Sequence, residues 1–419
     1  MKIQEPKGTR DVLPERVHQW HYVEDLARRL TALAGYEEIR TPVFEHTELF
    51  ARGVGDGTDV VQKEMYTFKD RGGRSLTLKP EGTAGVVRAV ISGGLAGGPL
   101  PIKTYYFTPV FRYERPQSGR LREHHQFGVE VFGSAEPTLD AEVIFLGSSL
   151  LRQAGLREIT LRINSIGCPN CRPKYEEALK AYFHDHEEGL CTTCRGRLET
   201  NPLRILDCKV PDCRPVIEKA PVVTDYLCSE CDEHFARVQD CLRSLGVDFT
   251  VDPHIVRGLD YYTRTVFEFV SARLGAQSTV LGGGRYNGLV SQLGGPDLPG
   301  IGFGMGIERL LLVLEAEGFE IPVPPYLRAY TVVHGGFAER LAALKLVEDL
   351  RAQGIACDMD HSGRSVKAQF KHAGRLRVPF VLVIGEDERE RGTVVVRNMD
   401  NGEEVVARRD RVAFLIRQE

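Results

Sequence analysis

"TYYFTPVFRYERPQSGRLREHHQFGVEVFG", residues 104–133, reads as two strands separated by a long polar loop. In the second strand His124, Gln126, Gly128, Glu130 and Phe132 alternate with His125, Phe127, Val129 and Val131. Residues two apart share a face, so the second set is mostly apolar and the first carries the polar groups. A sheet covered by helices on one side needs that asymmetry. Gln126 and Glu130, with a glycine between them, then read as the floor of a polar pocket; the competing reading is a solvated sheet face. Arg112 ends the first strand, and Arg115, Arg120 and Arg122 follow in the loop. Planar guanidinium groups at a strand end suit bidentate contact with phosphate.

Outward from this pair, "SLTLKPEGTAGVVRAVIS" (75–92) reads as strand, turn and helix, with Thr83 at the N-cap position and Glu81 in the turn. "LPGIGFGMGIERLLLVLE" (298–315) runs from a strand into a helix. Its Gly300, Gly302, Gly304 and Gly306 share one face, against which a flat ligand could lie. Arg309 falls in the first helical turn, where backbone N–H groups already favour an anion. Neither a P-loop nor a dinucleotide fingerprint is present. In "HIVRGLDYYTRTVFEF" (254–269), Arg257 precedes Tyr261 and Tyr262, and Phe267 and Phe269 share a strand face. Taken alone, that arginine reads as part of a surface turn. "LGGGRYNGL" (281–289) adds a strand end of close backbone approach.

Residues 14–34 have helical periodicity, and "EEIRTPVFE" (37–45) is extended, with Pro42 arguing for an edge or an interface. Residues 1–325 therefore read as α+β, an antiparallel sheet with helices, interrupted at 168–241 by a Cys-rich, mainly helical insertion. "IPVPPYLRAY" (321–330) is a proline-rich boundary. Beyond it, 326–419 follows a β-α-β-α-β order and closes with a hairpin and a helix, an α/β domain. Within it, residues 361–377 contain no acid, and Arg364, Lys367, Lys371 and Arg375 are spaced to form one helical stripe. Such a stripe is either a solvated face or a surface for an anionic partner.

The 419 residues are 42% hydrophobic, enough for more than one core. Net charge is -4, which argues against a general cationic coat for nucleic acid and leaves local patches open. No apolar run approaches the roughly 18 residues of a membrane span, and the start lacks a secretory h-region. A cytoplasmic protein is expected, with its ten cysteines as reduced thiols or metal ligands. Cys168-x2-Cys171 and Cys191-x2-Cys194, nineteen residues apart, have ribbon spacing for structural zinc. Cys208, Cys213, Cys228 and Cys231 form a second set, while Cys241 and Cys357 read as core. The block has too little apolar content to be expected to form a core of its own.

In combination these segments resemble the class II aminoacyl-tRNA synthetases, and among them the histidyl-tRNA synthetases. "EEIRTPVFE", "FTPVFRYERPQSGRLREHHQFGVE" and "GFGMGIERL" resemble the three class motifs. "RGLDYY" and "LGGGRYNGL" resemble the two segments peculiar to the histidine enzymes, with Asn287 where an aspartate is usual. The resemblance implies a class II catalytic domain, an anticodon-binding domain at 326–419, and a homodimer. It implies ligation of L-histidine to tRNA(His) through histidyl-adenylate, using ATP and Mg2+. Glu81, Thr83, Gln126, Glu130, Tyr261 and Tyr262 would line the histidine pocket. Arg112, Glu114, Gly304 and Arg309 would hold ATP, and Arg257, with Arg112 and Arg309, would be catalytic. Arg115, Gln117 and the basic stripe would meet tRNA. The alternative is a non-catalytic relative serving as a regulatory subunit of ATP phosphoribosyltransferase, against which the three arginines and the last domain both argue.

Overall fold

Strands Ile102–Phe111 and Glu123–Phe132 pair antiparallel along their full length, Ile102 opposite Phe132 and Phe111 opposite Glu123. The computed structural model describes residues 3–55, 58–208, 210–323 and 326–417. In it the pair holds the second and third positions of an eight-stranded sheet. Gly300–Gly306 adds antiparallel to Glu123–Phe132, then Thr279–Arg285, Thr263–Val270 and Thr160–Ser165 follow, all antiparallel. Two-residue parallel strands, Glu37–Glu38 and Thr250–Val251, close the edges. Pro42 lies just beyond the first of these, outside any strand, as its missing N–H requires.

The alternation along Glu123–Phe132 sorts the two cores. Phe127, Val129 and Val131 join Phe267, Phe269, Ile301, Phe303 and Met305 on one face. That face is covered by helices Pro14–Leu33, Pro137–Ala154, Ser229–Ser244 and Ile307–Ala316. On the other face Phe132 and Val266 pack with Tyr106, Tyr261, Tyr262 and Tyr286 under helix Thr83–Ser92. That helix covers only part of the sheet, so the face is closed around Glu130 and open near Gln126. The opening is where the candidate site lies.

The Cys-rich stretch is helices and loops, Arg172–Asp185 being the longest helix before Ser229–Ser244. Contrary to expectation it has a core, with Tyr175, Leu179, Phe183, Ile205 and Ile217 buried together alongside Cys194 and Cys213. Its apolar residues are spread thinly in sequence and meet only because the chain doubles back. Helix Ser229–Ser244 instead sends Phe235, Val238 and Leu242 into the main core.

Residues Pro322–Glu419 form a second unit. The boundary expected at residue 325 lies outside the described residues. Strands Cys357–Met359, Ala329–Val333 and Phe380–Ile384 are parallel, and Thr393–Asn398 and Glu404–Arg408 continue antiparallel. Buried Gln369, on helix Val366–Leu376, exchanges hydrogen bonds with both backbone groups of Val333 (2.8 and 2.9 Å), which ties that helix to the sheet. Among the described residues no helix is long and apolar enough to cross a membrane.

Candidate active site

Helix Thr83–Ser92 opens the site, and its first turn departs from the sequence reading. The Glu81 carboxylate, not the Thr83 hydroxyl, caps it, accepting from the N–H of Thr83 (2.7 Å) and Ala84 (2.8 Å). A carboxylate satisfies two orphan donors at once and faces the positive helix end. Thr83 is thereby freed to donate its hydroxyl to Glu130 Oε1 at 2.7 Å.

Glu130 is fully enclosed. Tyr286 donates to its Oε2 at 2.5 Å and Tyr106 to its Oε1 at 3.2 Å. Burial pushes its carboxyl up to about 8, against the hydrogen bonds from Tyr286 and Thr83 that favour the charge. Burial likewise raises Glu81. Tyr261 and Tyr262 complete the enclosure, their rings 4.7 Å apart, with Tyr261 edge-on to Tyr286 at 5.7 Å. Two buried acids among four tyrosine rings suit a flat, polar ligand that donates hydrogen bonds.

Tyr106 and Tyr286 were not read from the sequence as part of this pocket. A signal existed: Tyr106 lies opposite Gly128, whose added Cβ would meet its ring at 2.3 Å. The glycine face of Gly300–Gly306 divides in the same way. A Cβ on Gly300 would strike Tyr286 at 2.2 Å, and one on Gly302 would strike Glu130 Oε2 at 2.0 Å. These two make room for the protein's own pocket wall. Gly304 and Gly306 line the open cavity beyond it.

That cavity, about 160 Å³, is lined by Arg112, Arg257 and Arg309 together with His124, Gln126 and Glu114. Arg112 donates to the Pro80 carbonyl at 2.8 Å, beside the Glu81 turn. Arg309 is held by the carbonyls of Gly119 (2.8 Å) and Thr279 (2.9 Å). Burial, then Arg112 and Arg120, lowers Arg309 to about 10. Burial, then Arg112 and Arg309, drives His124 down to about 3. The available acids are engaged: Glu114 with Arg120, Glu308 with His125, and Glu268 with Arg257. Guanidinium groups crowded in this way lower their mutual repulsion by binding an anion. A larger hollow of about 530 Å³ lies beyond the loop against Trp20 and His125, but it lacks all three arginines.

Arg257 is not in an exposed turn; its side chain is 18% exposed. It pairs with Glu268, a residue sequence reading did not single out, and lies 5.7 Å from the Tyr262 ring. Burial opposes its charge, but Glu268, Tyr262 and Tyr261 together outweigh that and raise the guanidinium above its ordinary value. Gly282 permits this placement, since a Cβ there would come within 2.7 Å of Arg257 Nη1. Asn287 accepts from Arg285 at 3.3 Å, while Arg285 is neutralised by buried Asp140 at 2.5 Å. A neutral amide suffices there because the carboxylate comes from another element.

Two groupings read from sequence change. Cys168 and Cys171 meet Cys228 and Cys231, while Cys191 and Cys194 meet Cys208 and Cys213. The set Cys168, Cys171, Cys191 and Cys194 is not assembled. Helix Arg172–Asp185 carries the chain away between the two pairs, by roughly 20 Å at 1.5 Å per residue. In the second unit, Ser365 caps helix Val366–Leu376 by accepting from Ala368 N–H at 3.4 Å. Arg364 therefore precedes the helix and pairs with buried Asp360 at 2.6 Å. The stripe is Lys367, Lys371 and Arg375, all exposed. Arg115 and Gln117 are exposed in the loop between the two long strands, apart from the enclosed pocket.

A family model described as "Histidyl-tRNA synthetase" matches residues 8–310, and one described as "Anticodon binding domain" matches 332–419. A histidine–tRNA ligase of Caldanaerobacter subterraneus subsp. tengcongensis is 54% identical over 404 residues, spanning 96% of this chain and 97% of that one. One from Desulforamulus reducens is 52% identical, covering 98% of each. The crystal structure of apo S. aureus histidyl-tRNA synthetase resembles this fold with a TM-score of 0.84 at 41% identity, over 99% of this chain and 100% of that one.

Proposed function

The chain belongs to the histidyl-tRNA synthetase family, and from that premise we propose how its own residues carry the reaction. It is a histidine–tRNA ligase, activating L-histidine with ATP and passing the histidyl group to the 3′ end of tRNA(His). The regulatory-subunit alternative is not favoured: relatives named as ligases match at 50–54% identity over nearly the whole chain.

The observation that carries the residue assignment is Glu130, buried between Thr83, Tyr106 and Tyr286 four positions along the strand from the arginine-lined cavity. The imidazole ring occupies the Glu130 pocket and donates a ring N–H to that carboxylate, with Gln126 nearer the nucleotide. A site built on hydrogen bonds rejects amino acids that cannot make them. Arg112 and Arg309 hold the ATP phosphates against Gly304, and Glu114 lies beside them. Arg257, adjoining both Tyr262 and the arginine cavity, bridges the histidine carboxylate and the α-phosphate. The carboxylate attacks that phosphorus, pyrophosphate leaves, and fixed guanidinium charge meets the charge that develops.

The cavity fits a triphosphate that brings its own Mg2+, because Glu114 lines it while no cage of free carboxylates does. When bound, the ion would neutralise phosphate charge, and Glu114, exchanging its Arg120 partner for the ion, is the side chain that would hold it. The cysteine tetrads support structural zinc. Lys367, Lys371 and Arg375 meet tRNA, with Arg115 and Gln117 reaching it from the catalytic unit. We further propose a cytoplasmic homodimer, the Pro42 segment lying at the interface. Histidine-dependent pyrophosphate–ATP exchange followed by charging of tRNA(His) tests the reading. Exchange with histidine and no other amino acid is expected, and its absence would return the chain to a non-catalytic role.

A further inference from the structure

Both cysteine tetrads have their sulfurs within 4.8 Å of one another. Measured pairs are 3.6 Å (Cys168–Cys171), 4.0 Å (Cys168–Cys228) and 3.9 Å (Cys191–Cys208). Four thiolates around zinc at about 2.3 Å stand roughly 3.8 Å apart, whereas a disulfide would bring two to about 2 Å. Each tetrad also has a backbone N–H from one pair aimed at a sulfur of the other, Cys228 to Cys171 and Cys191 to Cys213, both at 3.1 Å. Gly167 has φ +69° and lies where a Cβ would come within 2.8 Å of Cys171 Cβ, so the backbone turns tightly to deliver the first pair. All eight donors are soft and neither set leaves an open position, which fits a structural zinc ion.

The positions of the tetrads show what they fasten. The first joins the chain just after strand Thr160–Ser165 to the start of helix Ser229–Ser244, so it clasps the two ends of the insertion. The second closes the segment between Cys194 and Cys208. From these two fastened segments, polar side chains reach the backbone and carboxylate of residues 258–262. Arg172, next to Cys171, donates to the Tyr262 carbonyl at 2.5 Å. Arg204 donates to the Gly258 carbonyl, and Asn201 to Asp260 at 3.4 Å. A hollow of about 240 Å³ lies among these groups, and Arg257 forms one of its walls as well as a wall of the arginine cavity.

We infer that the chain holds two separate tetrathiolate zinc sites, and that zinc at both fixes the segment carrying Arg257, Tyr261 and Tyr262, making Arg172 and Arg204 positioning residues for histidine. The positioning half rests on the assignment of histidine to the Glu130 pocket.

The test uses the full chain, produced with zinc and without chelator. Elemental analysis should find about two zinc ions per chain, falling to about one in Cys208→Ser/Cys213→Ser and in Cys228→Ser/Cys231→Ser. Equilibrium dialysis should show each pair of substitutions weakening histidine binding by about tenfold, with ATP affinity within about twofold of the parent. Arg172→Ala/Arg204→Ala keeps all eight thiols and should weaken histidine binding similarly while retaining both zinc ions. That variant carries the test where a cysteine variant does not fold. One zinc or none in the parent, or iron in its place, overturns the two-site assignment. Parent-like histidine affinity in the arginine variant, or in a folded cysteine variant that has lost zinc, overturns the positioning role. If Glu130→Gln leaves histidine affinity unchanged, the pocket assignment fails instead, and the zinc counts still stand.

Discussion

Gln126 and Glu130 share one face of one strand, about 13 Å apart at 3.3 Å per residue, yet their surroundings are opposite in sign. Around Glu130 burial raises acids, bringing Glu130 to about 8 and lifting Glu81. Around Gln126 burial lowers bases, taking His124 to about 3 and Arg309 to about 10. The same desolvation acts at both ends; only the residue types differ. On the proposed assignment each end meets the opposite partner, ring N–H donors of an imidazole at the acidic end and phosphate oxygens at the basic one. Arg257 is the side chain that adjoins both.

If that division is right, removing Arg257 gives the largest effect, because it harms the junction and neither pocket. Arg257→Ala should slow histidyl-adenylate formation by about 100-fold or more in single-turnover assays, with ATP affinity nearly unchanged. Glu268→Gln, which loosens the guanidinium without removing it, should cost less. Equal slowing and loss of ATP affinity in Arg257→Ala would place the residue wholly in the nucleotide cavity and break the comparison.

The next effect tests the closed end alone. Glu130→Gln should weaken histidine binding by roughly 10- to 100-fold, the range for a buried hydrogen bond to a charged group, and leave ATP binding alone. The same variant has a signature in stability. An acid raised from 4.5 to about 8 holds a proton in the native state that the unfolded chain has released. Stability from this group is complete below about pH 4.5 and falls as pH rises towards 8, by at most about 1.4 kcal/mol per pH unit. Urea unfolding without histidine at pH 5.5 and 7.5 should show the parent losing stability more steeply than Glu130→Gln. Glu81 shifts in the same direction and keeps some slope in the variant. Identical slopes would mean that Glu130 is ionised in the free enzyme.

Periodicity was enough to read the face assignment of strand Glu123–Phe132, since alternation of two is a local property and one apolar face forces the register. The arginines were legible for a related reason: residues such as Arg112 and Arg309 sit at strand and helix ends, which are themselves local features. What could not be read were relations between distant segments. Thr83 looked like a cap because nothing local shows that Glu130, 47 residues later, claims its hydroxyl. Gly300 and Gly302 looked like a ligand surface because nothing local shows Tyr286 and Glu130 filling the space. The cysteines were paired by sequence proximity, and the fold pairs them by the return of the chain. The basic stripe lost Arg364 for a smaller reason, a serine cap one residue later than the charge spacing implied.

The smallest predicted effect comes from charge that is not buried at all. Lys367 and Lys371 are exposed on one helix of the second unit, so water and salt already screen them. An exposed lysine meeting a phosphate contributes mainly through release of counterions, which appears as salt dependence rather than as a large fixed energy. Lys367→Ala/Lys371→Ala should therefore weaken tRNA(His) binding only several-fold at physiological salt and lower the slope of log affinity against log salt by about two, one for each phosphate contact. Histidine and ATP affinities and the rate of adenylate formation should remain those of the parent. A reduced affinity with an unchanged slope would show that the lysines act through the fold of their helix, and an unchanged affinity would make the stripe a solvated face. A loss as large as that in Arg257→Ala would contradict the contrast itself, because two screened charges would then count for as much as one held in a desolvated site.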